Sequence, residues 1–191
     1  MNQTLLTTNN SSFLKHPDQR VGVFLDIQNL YYSARALFGK KVNFRAILEE
    51  VVAGRQLIRA IAYVIRTDNP DEQAFFEALE GMGIEIRQKD LQVFINTGNK
   101  KGDWDVGLTV DAIRLAQSLD VVVLLSGDGD YVPLVTYLQD GFGKRVEVAG
   151  FGSAVSMKLQ EVADEFLDLS ENVAVFTMHD KRRTMRPKFR R

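Results

Sequence analysis

Asp26, Asp128 and Asp130 each stand just beyond an apolar run, and that placement is where chemistry could be done. Val21-Gly-Val-Phe-Leu25 leads into Asp26, with Asn29 three residues on, and Val121-Val-Val-Leu-Leu125 leads through Ser126 and Gly127 to Asp128, Gly129 and Asp130. Runs of this kind read as buried strands of a parallel sheet. Each aspartate then sits at one edge of the sheet, where a carboxylate is costly unless something neutralises it. Three such groups at two strand ends suggest a divalent cation. Asp105 supplies a fourth, because Lys100-Lys-Gly-Asp-Trp-Asp105 places it in the first turn of a helix read from about Asp103 to Leu119, with Asp111 six residues later. Six residues turn a helix by about 600°, so Asp105 and Asp111 lie about 120° apart and do not both face one ion. Asp105 is the favoured ligand, with Asp103 and Asp111 as a second tier.

Hard oxygen ligands without histidine or cysteine suit Mg2+ or Mn2+ far better than zinc. The chain has no cysteine, and its two histidines, His16 and His179, lie in the terminal segments. Thiol nucleophiles and disulfides are excluded, and a Ser-His-Asp triad has no source. Activation of water then falls to the metal, the usual arrangement for in-line phosphoryl displacement. Competing readings of the same residues fail. From Asp128 an EF-hand loop would need a glutamate at its twelfth position, which holds Gln139. A haloacid-dehalogenase-type phosphatase would want an aspartate two residues after Asp26, where Gln28 stands. Gly150-Phe-Gly152 has Val155 at the third glycine position of a dinucleotide loop, and reads instead as a tight turn beside the substrate groove.

The elements that must position these groups alternate strand and helix, as in a parallel sheet covered by helices on both faces. Strands are read at Val21–Leu25, Leu57–Ile65, Ile84–Arg87, Val121–Leu125 and Arg145–Ala149, with Leu91–Ile95 as a short hairpin partner and Phe166–Leu169 as a short edge. Val121–Leu125 is the most apolar and is expected at the centre. Helices are read from about Leu30 to Phe38, after Asn43 as a cap until Gly54, from Pro70-Asp-Glu to Gly81 or Gly83, from Val132 to Gln139 with a stop at Gly141, and from Ser153 to Ala163. Ligand sites in open sheets of this type lie beyond the carboxyl ends of the strands, and Asp26, Asn29, Ser126, Asp128 and Asp130 all fall there.

At 191 residues the length supports one domain, read as 21–170, between a polar, disordered N-terminal segment (1–20) and a basic, flexible C-terminal tail (171–191). The formal charge of −1 conceals an asymmetry. Lys181 to Arg191 carries seven of the 24 Lys and Arg and no acid, which leaves 17 basic against 25 acidic residues, a body near −8. That basic tail reads either as a solvated, disordered extension or as an electrostatic arm for polyanionic RNA, with attachment to acidic membrane lipid as a lesser alternative. No apolar run is long enough to cross a bilayer and no secretory leader is evident, so a cytoplasmic protein is the expectation.

Three ordered motifs carry a resemblance to a known family. Leu25-Asp-Ile-Gln-Asn-Leu30, Lys101-Gly-Asp-Trp-Asp-Val-Gly-Leu-Thr-Val-Asp111 and Ser126-Gly-Asp-Gly-Asp-Tyr131 resemble the NYN domain of the LabA-like group, and the similarity continues to Leu169. The resemblance implies an α/β fold, a PIN-like three-layer sandwich with a mostly parallel central sheet. It also implies a metal-dependent ribonuclease, with Asp26, Asn29, Asp105, Asp128 and Asp130 as the acidic site, though not that every member cuts RNA. Many members have a shorter Lys-Gly-x-Asp where this chain reads Lys-Gly-Asp-Trp-Asp, so Asp103 and Asp105 both stand at that place. On this reading Asp26, Asp105, Asp128 and Asp130 hold Mg2+ or Mn2+, while Asn29, Ser126 and Lys101 contact ligands or phosphate oxygens of RNA, single-stranded by preference. Trp104, Tyr31 and Tyr32 pack locally unless exposed rings stack on unpaired bases. A rival from another class is a non-catalytic regulatory module that binds RNA, nucleotide or protein through the same pocket. Nothing in the residues decides between RNA and DNA, or between a monomer and a homo-oligomer.

Overall fold

The structure, a computed structural model, describes residues 15–66, 72–90, 92–93, 100–101 and 103–178. Six strands form one sheet: β1 (Arg20–Asp26), β3 (Gln56–Arg66), β4 (Ile84–Asp90), β7 (Val121–Leu125), β8 (Arg145–Gly150) and β9 (Glu165–Asp168), in the order β4-β3-β1-β7-β8-β9. Every pairing in it is parallel. Two short antiparallel pairs stand apart, β2 (Lys41–Val42) with β10 (Thr177–Met178), and β5 (Gln92–Val93) with β6 (Lys100–Lys101). The expected hairpin partner at Leu91–Ile95 therefore pairs with Lys100–Lys101 over its two described residues.

Side chains alternate across each strand, so a strand covered on both faces must be apolar at every position. β7 shows this: Val121, Val123 and Leu125 join one core, and Val122 and Leu124 the other. The first core is covered by α1 (Ile27–Phe38), α2 (Phe44–Val52) and α3 (Glu72–Glu80), the second by α4 (Asp105–Leu115), α5 (Val132–Phe142) and α6 (Met157–Val162). This is a three-layer α/β sandwich, with the most apolar strand in the central pair as expected.

Several boundaries differ from the sequence reading for local reasons. α1 starts at Ile27 rather than Leu30, because the Asp26 side chain accepts the Asn29 N–H and so caps the helix three residues early. α4 starts at Asp105, after Trp104 whose carbonyl accepts the Leu108 N–H, and ends at Leu115 before a 3-10 turn, Ala116–Ser118. α5 runs through Gly141 and stops at Gly143, which takes the left-handed conformation (φ 60°) that a helix end favours. The helix expected over Ser153–Ala163 is divided into a 3-10 turn, Gly152–Ala154, and α6. Pro70 and Asp71, read as the opening of a helix, lie outside the described residues.

Both expected tails are partly folded. Lys15 pairs with Glu165 at 2.8 Å, and Arg20 is already in β1. Beyond residue 170, α7 (Val173–Phe176) buries Phe176 and leads into β10, while Asn43 ties this segment down by donating from Nδ2 to the Val175 carbonyl at 2.9 Å. The expected basic residues from Lys181 onward lie outside the described residues. No helix among the described residues is long and apolar enough to cross a membrane.

Candidate functional site

The strand order reverses between β1 and β7, since the chain runs outward from β1 through β3 to β4 and separately from β7 through β8 to β9. The carboxyl ends of that central pair border the crevice in which open α/β sheets place ligands. Leu25 lies opposite Leu125. One residue further, Ser126 Oγ donates to Asp26 Oδ2 at 3.1 Å.

Backbone amides and short side chains lock this junction. Asp26 Oδ1 accepts the Asn29 N–H at 3.0 Å, and Asn29 Oδ1 accepts the Gly127 N–H at 2.8 Å. The Ser126 hydroxyl also accepts the Asp128 N–H at 3.2 Å. Ser126 is fully buried, and its hydroxyl bridges the two strand ends. Asn29 likewise spends its carbonyl oxygen on the loop, and its amide NH2 is the donor left over from these contacts.

Asp128 caps the 3-10 turn Gly129–Tyr131, its Oδ1 accepting the Asp130 N–H at 3.0 Å. The two glycines of this loop face a closely packed segment, with backbone behind Gly127 and a serine side chain behind Gly129. A Cβ on Gly127 would press into the Ala154 carbonyl oxygen, and one on Gly129 would come within 2.9 Å of Ser156 Oγ. Ser156 N–H donates to the Gly127 carbonyl at 2.9 Å. The tight turn expected at Gly150–Ser153 thus leads into a segment that buttresses the acidic loop.

Asp105 arrives from the other side, at the start of α4. Carboxylate oxygens of Asp105, Asp128 and Asp130, one from each, all lie within 4.8 Å of one another. Oxygens around one octahedral ion are about 3 to 4 Å apart, so this set could hold a single divalent cation. Asp26 stands beside the trio rather than in it. Burial pushes the Asp26 carboxyl above its ordinary pKa, outweighing the hydrogen bonds from Asn29 and Ser126, and the charges of Asp105 and Asp128 push the same way. Asp105 is also raised, first by burial and then by Asp103, Asp128 and Asp130, against the opposing Tyr131 hydrogen bond. The ion pairs among the described residues lie elsewhere, at Arg20–Asp120, Arg55–Glu147 and Arg145–Glu165 for example. Among the described residues no cation pairs with the trio, which suits a cation site.

The second-tier acids do not join the trio. Asp111 accepts from Tyr63 Oη at 3.2 Å and pairs with Arg87 at 3.5 Å and Arg114 at 3.4 Å, so its charge is satisfied on another face of α4. Asp103 precedes the helix; its carbonyl accepts from Lys89 Nζ at 3.1 Å, and that ammonium lies 5.8 Å from the centre of the Trp104 ring. Trp104 packs locally as expected, its indole N–H donating to the Val64 carbonyl at 2.7 Å. Lys101 is described only as backbone in β6. Tyr31 and Tyr32 are 41% and 63% exposed on α1, edge to face at 5.5 Å. Sequence reasoning assigned nothing to Tyr131, although a tyrosine closing a buried turn needs a partner for its hydroxyl, and here that partner is Asp105 Oδ1 at 3.1 Å.

A family model for the NYN domain matches residues 20–170. Low amplitude and bright protein LabA of Synechococcus elongatus is 24% identical over 162 residues, which span 80% of this chain and 84% of that protein. A crystal structure of a protein of unknown function from Vibrio parahaemolyticus matches with a TM-score of 0.78 and 31% identity, over 86% of this chain and 99% of the other.

Proposed function

Since the chain belongs to the NYN domain family, we propose that it is a ribonuclease that hydrolyses phosphodiester bonds of single-stranded RNA with Mg2+ or Mn2+ held by its aspartates. The observation that carries this reading is the convergence of Asp105, Asp128 and Asp130 at the carboxyl ends of the central strands. Oxygen donors alone favour these hard cations. When bound, such an ion offsets the charge of the phosphate and activates water for in-line attack.

The chain's own groups have separable roles in this reading. Asp105, Asp128 and Asp130 hold the cation, and Asp26 adds negative charge beside them. Ser126 and Asn29 keep the β1 and β7 ends in register, and the Asn29 amide faces the RNA with Lys101 as a backbone contact. Binding a cation favours the ionised carboxylates, so it works against the raised pKa values of Asp26 and Asp105, and affinity falls as pH drops into the acid range. The regulatory reading is favoured by one observation, the net negative body, which repels a polyanion.

Incubation of the purified protein with labelled single-stranded RNA and DNA, in Mn2+, Mg2+ or chelator, decides between these readings. The expected result is RNA cleavage that chelator abolishes and that Asp128→Asn lowers at least about 100-fold, the scale of losing a group that acts on the transition state. Cleavage that persists in chelator or in the variant sinks the mechanism, and metal binding without any cleavage leaves the regulatory module.

A further inference from the structure

We propose that Tyr131 is a positioning residue for the cation: its hydroxyl fixes the Asp105 carboxylate so that one oxygen is held and the other is presented to the ion. The inference rests on the metal-site reading above and goes beyond it by assigning a residue that is not itself a ligand.

Tyr131 is 1% exposed, its ring packed in the core that includes Leu108 and Leu134. A ring so confined cannot swing, and its hydroxyl, the only polar atom of the side chain, donates to Asp105 Oδ1 at 3.1 Å. One donor on one carboxylate oxygen settles the rotation of the group and leaves the second oxygen available. The donor also comes from the turn that carries the other ligands, since Asp128 caps it, Asp130 lies within it and Tyr131 closes it. A single bond thereby fastens the α4 ligand to the β7 loop ligands, which are otherwise more than twenty residues apart in the chain.

The other tyrosine–aspartate pair of the same helix shows what is particular here. Tyr63 donates to Asp111, but Asp111 also meets Arg87 and Arg114, which cancel its charge. Asp105 receives a neutral hydroxyl, and the positive groups that pair with Asp111 do not reach it. Tyr131 orients its carboxylate without neutralising it, which is the requirement for a ligand. Groups that orient ligands in this way are commonly worth 10- to 100-fold in metal affinity.

The test is titration of Mn2+ into the full chain, followed by electron paramagnetic resonance and calorimetry, for the unsubstituted protein, Tyr131→Phe, Asp105→Asn and the double variant. Tyr131→Phe is expected to weaken Mn2+ binding about tenfold, with unchanged far-UV circular dichroism. The Mn2+ concentration for half-maximal RNA cleavage should rise by the same factor, while the rate at saturating Mn2+ recovers. In the Asp105→Asn background, adding Tyr131→Phe should change affinity by less than about twofold, because the two groups act through one bond. Equal affinity of Tyr131→Phe and the unsubstituted protein overturns this inference and leaves the metal site standing. A tenfold loss that persists in the Asp105→Asn background also overturns it, since the effect would then be structural. Failure of the unsubstituted protein to bind Mn2+ overturns both readings.

Discussion

Gly127 shows how closely single residues are determined at the site. Its amide donates to Asn29, its carbonyl accepts from Ser156, and its missing side chain admits the Ala154 carbonyl. Gly127→Ala should destabilise the protein by about 1 to 3 kcal/mol, the usual cost of forcing extra volume into packed backbone. Urea denaturation measures this, and a midpoint unchanged from the parent protein would contradict the packing described. The carboxylates at Asp26, Asp128 and Asp130 were legible in the sequence, because an acid after a buried strand has few bland explanations. The difference between Ser126 and Tyr131 was not. Both are polar residues of one short motif, and only the packing around them shows that the first ties strand ends together while the second reaches across to Asp105.

At the scale of elements, the register of the central strands is held at both ends. Ser126 and Asp26 join them beside the site, and at the opposite end Asp120 accepts from the Arg20 backbone N–H at 2.8 Å and pairs with its guanidinium at 2.7 Å. Those Arg20 contacts hold the Asp120 carboxyl at about 2, below its ordinary 3.8. A depressed carboxylate stabilises the fold above its unfolded pKa, and that contribution is lost as pH falls from about 4 toward 2. Asp120→Asn should therefore have a lower Tm than the parent protein at pH 6, with the gap closing by pH 2. A gap that stays constant over that range would show that the pair does not couple to acid unfolding. Deeper in, Arg55 and Glu147 form a bidentate pair at 2.8 Å, and although burial alone would raise the Glu147 carboxyl, Arg55 and Arg145 hold it below its ordinary range. Strand and helix types were readable from period and apolar content, whereas ends were not. Asp26 begins α1 because its side chain turns inward to cap, and Gly141 fails to end α5 because the left-handed stop is taken by Gly143.

For the whole molecule, the division of charge sets how a polyanion would approach. The acidic body near −8 faces RNA unfavourably, and the seven cations from Lys181 to Arg191 are the counterweight. If these cations engage RNA phosphates, deleting residues 181–191 should weaken RNA binding at low salt. It should also flatten the dependence of log K on log salt by about 3 to 5, at roughly 0.7 per phosphate on a single strand. Fluorescence anisotropy with a labelled oligonucleotide measures the slope, and an unchanged slope would assign the tail no part in binding. At the start of that segment α7 and β10 are too short for the sequence alone to signal them, and they are held in place by Asn43 and β2.

By itself the sequence determined the class of fold and the identity of the acids, because these follow from local apolar runs and the residues that end them. Tertiary structure alone decided which acids meet. Asp105 and Asp111 ride one helix and resemble each other in sequence. Long-range packing aims the first at Asp128 and Asp130 with Tyr131 on its flank, and gives the second to Tyr63, Arg87 and Arg114. Such choices depend on contacts between residues far apart in the chain, where composition and spacing carry no direct information.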